Sequence, residues 1–279
     1  MFWPVDPRPS SVDIGFADWV RHRAHERPIA AIQIGAAPAE EFAVYGRRLN
    51  QLLTAVRTRR SMPVMSITLP KALQDASDDS AEELVRGYFR LDQSRSGGVA
   101  FTGSQFDIWA GGGDKPDVAN RFTDADINAV AMLSVEIPPR AVIEVLQRRA
   151  GALSSLLELI PTDVDLHDAT SELIGPASSA WKLWEELDAV RDIGPTTVSK
   201  LCARKRPRLL PVHDKYVEQF VGPTRTYWEA MRQSLAADQS HLAHRLERIG
   251  RSADASHLSV LRVFDVIAWR SGNASAELP

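Results

Sequence analysis

The sequence has a single cysteine, Cys202, among 279 residues. One cysteine excludes an internal disulfide framework and a cysteine-rich zinc site. Long apolar runs are also missing, and none approaches the roughly 20 residues that a helix needs to cross a bilayer. Residues 1–13 contain prolines and acids where a signal peptide has a basic start and an apolar core. We therefore expect a cytoplasmic protein without a membrane span.

The chain lacks an excess of positive charge, because its 33 Lys and Arg are outnumbered by 36 Asp and Glu and the formal net charge is −3. This value argues against a surface coated in positive charge for nucleic acid. The distribution is uneven, however, and one short stretch combines six cations with a single acid, Asp214. The cations are Lys200, Arg204, Lys205, Arg206, Arg208 and Lys215. The stretch is compatible with a local phosphate-binding surface, but taken alone it favours solvated cations at a helix end, where the helix dipole stabilises them.

Apolar residues recur at helical spacing through most of the chain and predict a mainly α protein, a multi-helix bundle. Residues 99–109 (VAFTGSQFDIW) differ, because their β-prone pattern predicts a small hairpin-like element. We expect a variable N-terminal leader over 1–80, with one helix that begins near Pro38 and a polar linker at its end. A helical domain is expected over 81–271 and a disordered tail over 272–279.

Four of the seven tryptophans lie in the predicted C-terminal helices. They are Trp181, Trp184, Trp228 and Trp269. Aromatic side chains of this kind can form a platform on which nucleic-acid bases stack. Apolar neighbours at helical spacing favour core packing instead.

The most informative segment is 187–217. Its first part, LDAVRDIGPTTVSKL, carries helical apolar spacing that stops at Gly194 and then resumes. Pro195 suits the first turn of a second helix, where its missing N–H costs nothing. Gly194 is expected to allow a backbone conformation that a side chain would block. The segment therefore predicts two helices joined by a short hairpin.

A hairpin of this kind presents backbone N–H groups at a helix N-terminus, which is a site for anions. Thr196 and Thr197 can add hydroxyl donors, and Lys200 follows about one turn later. Lys200, Arg204 and Lys205 are the cations that we expect beside a bound phosphate.

The segment resembles the helix-hairpin-helix superfamily, which combines an apolar residue, a glycine-flanked hairpin and a small residue at the helix contact. One departure is Asp192, which stands in place of the first hairpin glycine. Aspartate tolerates a left-handed backbone, although its charge would lie near a phosphate. The resemblance implies sequence-independent binding of the backbone of double-stranded DNA by the hairpin. The residues that it assigns to this role are Gly194, Pro195, Thr196, Thr197, Lys200, Arg204 and Lys205.

The run Arg208–Asp214 (RLLPVHD) resembles the loop of base-excision DNA glycosylases of that superfamily. In those enzymes the loop carries the catalytic aspartate, and here Asp214 follows Thr196 by 18 residues, as in their layout. The resemblance implies that Asp214 stabilises an oxocarbenium-like sugar or orients water. Thr196 stands where bifunctional members carry an imine-forming lysine, so no lyase step is expected. Alternatively, Asp214 is the N-cap of the next helix.

From about Leu84 onward the chain also resembles a family of bacterial proteins of unassigned function. The residues that carry this likeness are Phe101-Thr102-Gly103, Phe106-Asp107, Arg121-Phe122-Thr123, Asp126-Ile127, Pro211-Val212-His213-Asp214, Leu261-Arg262, Asp265 and Trp269. The likeness implies that the hairpin and Asp214 belong to one architecture, and it implies no activity.

Three functions are compatible with these patterns. The sequence favours a non-catalytic module that binds the DNA backbone through residues 191–208. A monofunctional DNA glycosylase would use Asp214 and a base-sized pocket. In a protein-interaction scaffold, the hairpin would only pack two helices, and Asp192 and the overall acidity favour this third function. Neither a metal nor a cofactor is expected, because His213 has no second His or Cys at ligand spacing. A positive surface at the hairpin would favour the first function, and a pocket at Asp214 the second.

Overall fold

A computed structural model describes four ranges of the chain. They are 66–92, 98–99, 101–222 and 227–273. The chain divides into two units, Met1–Arg60 and Ser61–Pro279, and every described residue belongs to the second unit. The helix expected near Pro38 and most of the expected tail lie outside the described residues.

Helices form most of the described part and confirm the mainly α prediction. The α-helices are α1 (Lys71–Gln74), α2 (Asp79–Phe89), α3 (Asp124–Ala131), α4 (Pro139–Ile143), α5 (Ala150–Glu158), α6 (Ser171–Ile174), α7 (Ser179–Asp188), α8 (Pro195–Lys205), α9 (Lys215–Val221), α10 (Tyr227–Ser252) and α11 (Val260–Gly272). A π-helical turn, Glu144–Arg148, follows α4, and α10 is interrupted by non-helical backbone at residues 237–240. Within the described ranges, every helix is too short or too polar to cross a bilayer.

The prediction of a β-hairpin over 99–109 was wrong. Two-residue strands β1 (Leu91–Asp92) and β2 (Gly98–Val99) pair antiparallel, and only Val99 of the segment takes part. From Phe101 onward the chain instead forms two 3₁₀ turns, Thr102–Gln105 and Trp109–Gly111. The Arg204 guanidinium donates to the carbonyls of this segment, at residues 106, 107 and 109. Carbonyls bonded to a buried side chain are not available to a strand ladder, so a contact with α8 overrides the local β preference.

Polar caps and prolines start several helices. Thr123 and Asp126 form the expected capping box of α3, in which the Thr123 N–H donates to Asp126 Oδ2 at 2.8 Å. Pro139 occupies the first turn of α4. Ser178 caps α7 and Ser259 caps α11 through side-chain oxygens that accept backbone N–H bonds.

Helix α11 lies at the centre of one half of the core. It packs against α1, α2, α9 and α10, and all nine residues from Val260 to Ala268 are buried. In the other half, α8 packs on α3 and α7, and α7 packs on α5 and α6. Trp184 and Trp228 are buried edge-to-face at 5.7 Å, which confirms core packing for these two tryptophans.

The segment 74–80, expected as a linker from its polar composition, is attached to α10. Arg245 donates to Asp78 Oδ1 at 2.6 Å and to the carbonyl oxygens of Leu73 and Asp75. Leu73 itself is 1% exposed and belongs to the core. Residues just before position 81 therefore pack with the helical domain.

Candidate functional site

Helices α7 and α8 are joined by the α7–α8 turn, defined here as residues 189–194. Asp192 has φ +72° and so occupies the left-handed region, as expected for an aspartate in place of glycine. Gly194 has φ −110°, an extended conformation that any residue adopts, and a Cβ there would meet nothing within 4 Å. The expectation that Gly194 needs its conformational freedom is therefore wrong, because Asp192 makes the left-handed step.

The N-terminus of α8 presents free backbone donors. Within the described residues, no group accepts a hydrogen bond from the N–H of Thr196 or Thr197. The hydroxyl of Ser199 donates to the Thr196 carbonyl at 2.8 Å and lies 2.9 Å from the His213 carbonyl oxygen. The contact between Ser199 and His213 joins the first turns of α8 to the segment that precedes α9.

Most of the cationic stretch faces the interior. Lys200, Arg204 and Lys205 are 4%, 2% and 0% exposed. Lys205 pairs with Asp126 and donates to the Gly113 and Val118 carbonyls, whereas Lys200 donates to the Leu133 carbonyl at 2.9 Å. Arg204 and Lys205 thus hold α8 to its neighbours and offer no charge to a surface phosphate.

Arg206 is also buried, and its guanidinium binds a cage of acceptors. The acceptors are the carbonyl oxygens of Ala119, Leu157, Ile160 and Lys205 and the side-chain oxygen of Asn120. Burial lowers the pKa of Arg206 to about 10, which still leaves it charged at neutral pH. Of the six cations, only Arg208 and Lys215 have exposed side chains, and Arg208 pairs with Asp165.

Asp214 caps α9. Its Oδ1 accepts hydrogen bonds from the backbone N–H groups of Tyr216 and Val217, at 2.9 and 3.1 Å. Among the described residues, no donor reaches its other oxygen, Oδ2. The carboxylate is therefore fixed by one oxygen while the second remains available.

An open cavity of about 470 Å³ lies beside Asp214. Thr196 and Lys200 of α8 line it together with Asp214. Thr196 and Asp214, which are 18 residues apart in the sequence, therefore border the same cavity. Cavities of roughly 300–1,000 Å³ accommodate small ligands. Arg204 and Lys205 are not among the lining residues.

The cavity also holds a buried ion pair contributed by α11. Arg262 donates through Nη1 to Asp265 Oδ2, and both residues are 5% exposed. Burial, with a smaller contribution from the neighbouring Asp214, raises the pKa of Asp265 to about 6 against the opposing charge of Arg262. Burial also lowers the pKa of Lys200, although Asp214 and Asp265 oppose that shift.

Aromatic rings form another wall of the cavity. Tyr88 and Phe101 stack at 5.3 Å, and Trp269 meets both rings edge-on. Tyr216 meets Trp269 edge-on at 6.1 Å, and the Nζ of Lys215 lies 4.7 Å from the centre of the Tyr216 ring. Trp269 is only half-buried, so it borders the cavity in addition to packing on the core.

A comparison with protein-family models identifies the family. The model described as a family of unknown function, DUF6308, matches residues 81–272, about two thirds of the chain. The chain belongs to the DUF6308 family. This confirms the expected likeness to a family of unassigned function. A search of curated proteins and a search of solved structures found no match.

Three residues that line the cavity beside Asp214 in the DUF6308 chain were not predicted as site residues from the sequence. Arg262 and Asp265 come from α11, and Tyr88 comes from α2. The available signal was local: the run VLRVFDVIAW carries two charged residues, three positions apart, in an otherwise apolar helix. Charged side chains that are buried on an apolar face require partners, and such pairs often line functional sites.

Other groups of the DUF6308 chain have evident structural partners. His213 is buried, with Nε2 3.0 Å from the Gly222 carbonyl oxygen and its ring against Tyr227. Among the described residues, one His/Asp group brings its ligand atoms within 4.8 Å, namely Asp165, His167 and Asp168. Both carboxylate oxygens of Asp165 already accept from the guanidinium of Arg208.

Proposed function

We propose that this protein binds DNA and hydrolyses the N-glycosylic bond of a nucleotide held in the cavity beside Asp214. The observation that carries the proposal is the shared cavity: Thr196, Lys200 and Asp214 line one space of about 470 Å³. A function that involves only the DNA backbone does not require such a cavity. The proposal therefore shifts from the non-catalytic module favoured by the sequence to the glycosylase alternative.

The position of Asp214 suits this chemistry. Cleavage of a glycosylic bond develops positive charge on the sugar, and a fixed carboxylate stabilises that charge. The two N–H bonds to Oδ1 hold the carboxylate in place before substrate arrives. Oδ2 is free to face the sugar or to accept a proton from the attacking water.

The aromatic wall suits a base that leaves the duplex. Enzymes that act on a base extrude its nucleotide and hold the base by stacking and hydrogen bonds. Phe101 and Trp269 provide apolar surface in the cavity, and Lys200 provides a donor. A cavity with both kinds of group suits a planar, polar ring.

Anchoring of the DNA is assigned to the start of α8. The N–H groups of Thr196 and Thr197 and the helix dipole favour a phosphate there. In this proposal Gly194, Pro195, Thr196 and Thr197 contact the backbone, and Lys200 serves the cavity. Arg204 and Lys205 are buried and paired, so they are not part of the contact surface.

A second candidate is the non-catalytic DNA-binding module. One observation favours it: the capping bonds alone account for Asp214 at the head of α9. In that case the free amides of α8 would bind phosphates without any chemistry in the cavity.

Base release from labelled duplexes tests the first proposal. The duplexes carry uracil, hypoxanthine, oxidised guanine or N7-methylguanine, and hot alkali reveals the abasic sites. We expect release of at least one base by the wild-type protein and none by Asp214→Asn. Asparagine caps helices as well as aspartate, so this variant should remain folded.

Duplex binding across a salt series tests the anchor. Gly194→Glu places a negative charge at the turn without a clash, because the Cβ position is open. We expect weaker binding by this variant and unchanged unfolding, with Gly194→Ala as the uncharged control. Binding that depends on Gly194 without release of any base would support the second candidate. Absence of both binding and release would refute both.

A further inference from the structure

We propose that Asp265 is the general acid of this cavity and protonates the departing base while Asp214 stabilises the sugar. The inference rests on the proposed hydrolysis and adds a second carboxyl group with a different task. The resemblance to DNA glycosylases assigns a role to Asp214 alone. The role of Asp265 is inferred only from its position on α11, where it lines the cavity.

Asp265 is held at one oxygen and available at the other. Its Oδ2 accepts from Arg262 Nη1, whereas among the described residues no donor reaches Oδ1. The residue is 5% exposed and lines the cavity. Arg262 is itself fixed by Asp107 Oδ2 at 2.8 Å and by the Gly103 carbonyl at 2.9 Å. Asp265 is therefore bonded to a guanidinium that has little freedom to move.

Charged and titratable groups face Asp265 from each element around it. Arg262 lies on the same helix, Lys200 comes from α8 and Asp214 precedes α9. Tyr88 comes from α2 and Tyr227 from α10. The net result of burial and of these charges is a pKa of about 6 for Asp265. About half of Asp265 therefore carries a proton at pH 6, and about one tenth does at pH 7.

Two carboxyl groups in different environments can divide acid and base work between them. Asp214 is fixed by two backbone donors at a helix N-terminus and keeps one oxygen free. Asp265 lies deeper, where burial favours the neutral acid. The arrangement fits a charged partner for the sugar and a protonated partner for the base.

The C1′–N bond breaks, its electron pair moves onto the base, and the proton on Asp265 Oδ1 is transferred to a ring nitrogen or carbonyl oxygen of that base. Water adds to C1′ and gives one proton to Asp214. The products are the free base and an abasic sugar, after which Asp214 loses its proton to solvent and Asp265 regains one.

The test varies the need of the leaving base for a proton. Uracil and hypoxanthine are uncharged in DNA and depart more readily when protonated, whereas N7-methylguanine already carries a positive charge and departs as a neutral base. For Asp265→Asn we expect release of the uncharged bases to fall by about 100-fold or more, the usual range for general acid catalysis. Release of N7-methylguanine should change by less than about threefold. For the wild type, kcat/KM on an uncharged base should fall as pH rises above about 6, and Asp265→Asn should lose this dependence.

Asp107→Asn is the matched control. Asp107 pairs with the same Arg262 but does not line the cavity, so its loss weakens the support of Arg262 without removing the proposed acid. We expect the wild-type pH profile from this variant.

The outcomes separate the two proposals. Release of uncharged bases by Asp265→Asn with the wild-type rate and pH profile would overturn the acid role and leave the hydrolysis intact. Equal losses in Asp107→Asn and Asp265→Asn, for every base tested, would make Asp265 a support for Arg262 and would also overturn it. Failure of the wild-type protein to release any base would overturn both proposals.

Discussion

Lys205 Nζ lies 2.6 Å from Asp126 Oδ2, and the two side chains are 0% and 1% exposed to solvent. The other oxygen of the same carboxylate lies 3.2 Å from Arg204 Nε. One acid on α3 therefore compensates two cations on α8. Two residues that the sequence assigns to DNA instead join the two helices.

Removal of this acid should be costly. Asp126→Ala leaves Arg204 and Lys205 without their carboxylate in the core and removes the capping box of α3. Loss of one partner from a buried ion pair costs about 3–5 kcal/mol of unfolding free energy. Urea unfolding measures the loss, and Asp124→Ala, an exposed acid in the same first turn, is the matched control. A loss of equal size in the two variants would contradict the assigned role.

The contacts of Asp126 show which features of the fold could be predicted from the sequence and which could not. The capping box of Thr123 and Asp126 was predictable because its members are three residues apart. The pairing of Asp126 with Arg204 spans 78 positions, and no local pattern encodes it. For the same reason the hairpin-like element predicted over 99–109 was wrong, since carbonyls of this segment are bonded to the side chain of Arg204 on α8.

The candidate site likewise contains residues that could be predicted from the sequence and residues that could not. Thr196 and Asp214 were predictable because both belong to one short segment whose spacing resembles a known layout. Arg262, Asp265 and Tyr88 reach the same cavity from α11 and α2, which only the tertiary packing brings beside α8 and α9. The cations of α8 were predicted as a surface feature because charge in a sequence does not reveal burial.

Variants at Asp214 should separate its two roles. Asp214→Ala removes the acceptor for the N–H groups of Tyr216 and Val217, so the free energy of unfolding should fall by about 0.5–2 kcal/mol. Asp214→Asn keeps a capping oxygen and should unfold within a few tenths of a kcal/mol of the wild type. Both variants should lose base release. Retained release by Asp214→Asn would restrict the residue to its capping role.

Two glycines offer a paired test of the packing around the cavity. At Gly103 a Cβ would lie 2.0 Å from Tyr88 Oη and 3.0 Å from Leu133 Cδ2, whereas at Gly87 it would meet nothing within 4 Å. Gly103→Ala should therefore cost about 1–3 kcal/mol through overpacking. Gly87→Ala in α2 should add about 0.5–1 kcal/mol, because alanine favours the helix. Thermal or urea unfolding measures both effects, and a neutral Gly103→Ala would show that the Tyr88 ring can move away.

The raised pKa of Asp265 predicts how stability depends on pH. Between its ordinary value of 3.8 and about 6, the folded protein binds the Asp265 proton more tightly than the unfolded chain does. Stability from this group is therefore fully present below pH 3.8 and is lost as pH rises toward about 6, by at most about 1.4 kcal/mol per pH unit.

The measurement is urea unfolding of the wild type and of Asp265→Asn at several pH values from 4 to 8. Groups remote from Asp265 titrate alike in the two proteins, so the difference in unfolding free energy reports Asp265 together with the charges coupled to it. The wild type should lose stability relative to the variant as pH rises to about 6, and the difference should then become constant. A difference that grows in favour of the wild type over the same range would mean that Arg262 dominates and keeps Asp265 charged, and the proposed acid would then lack its proton.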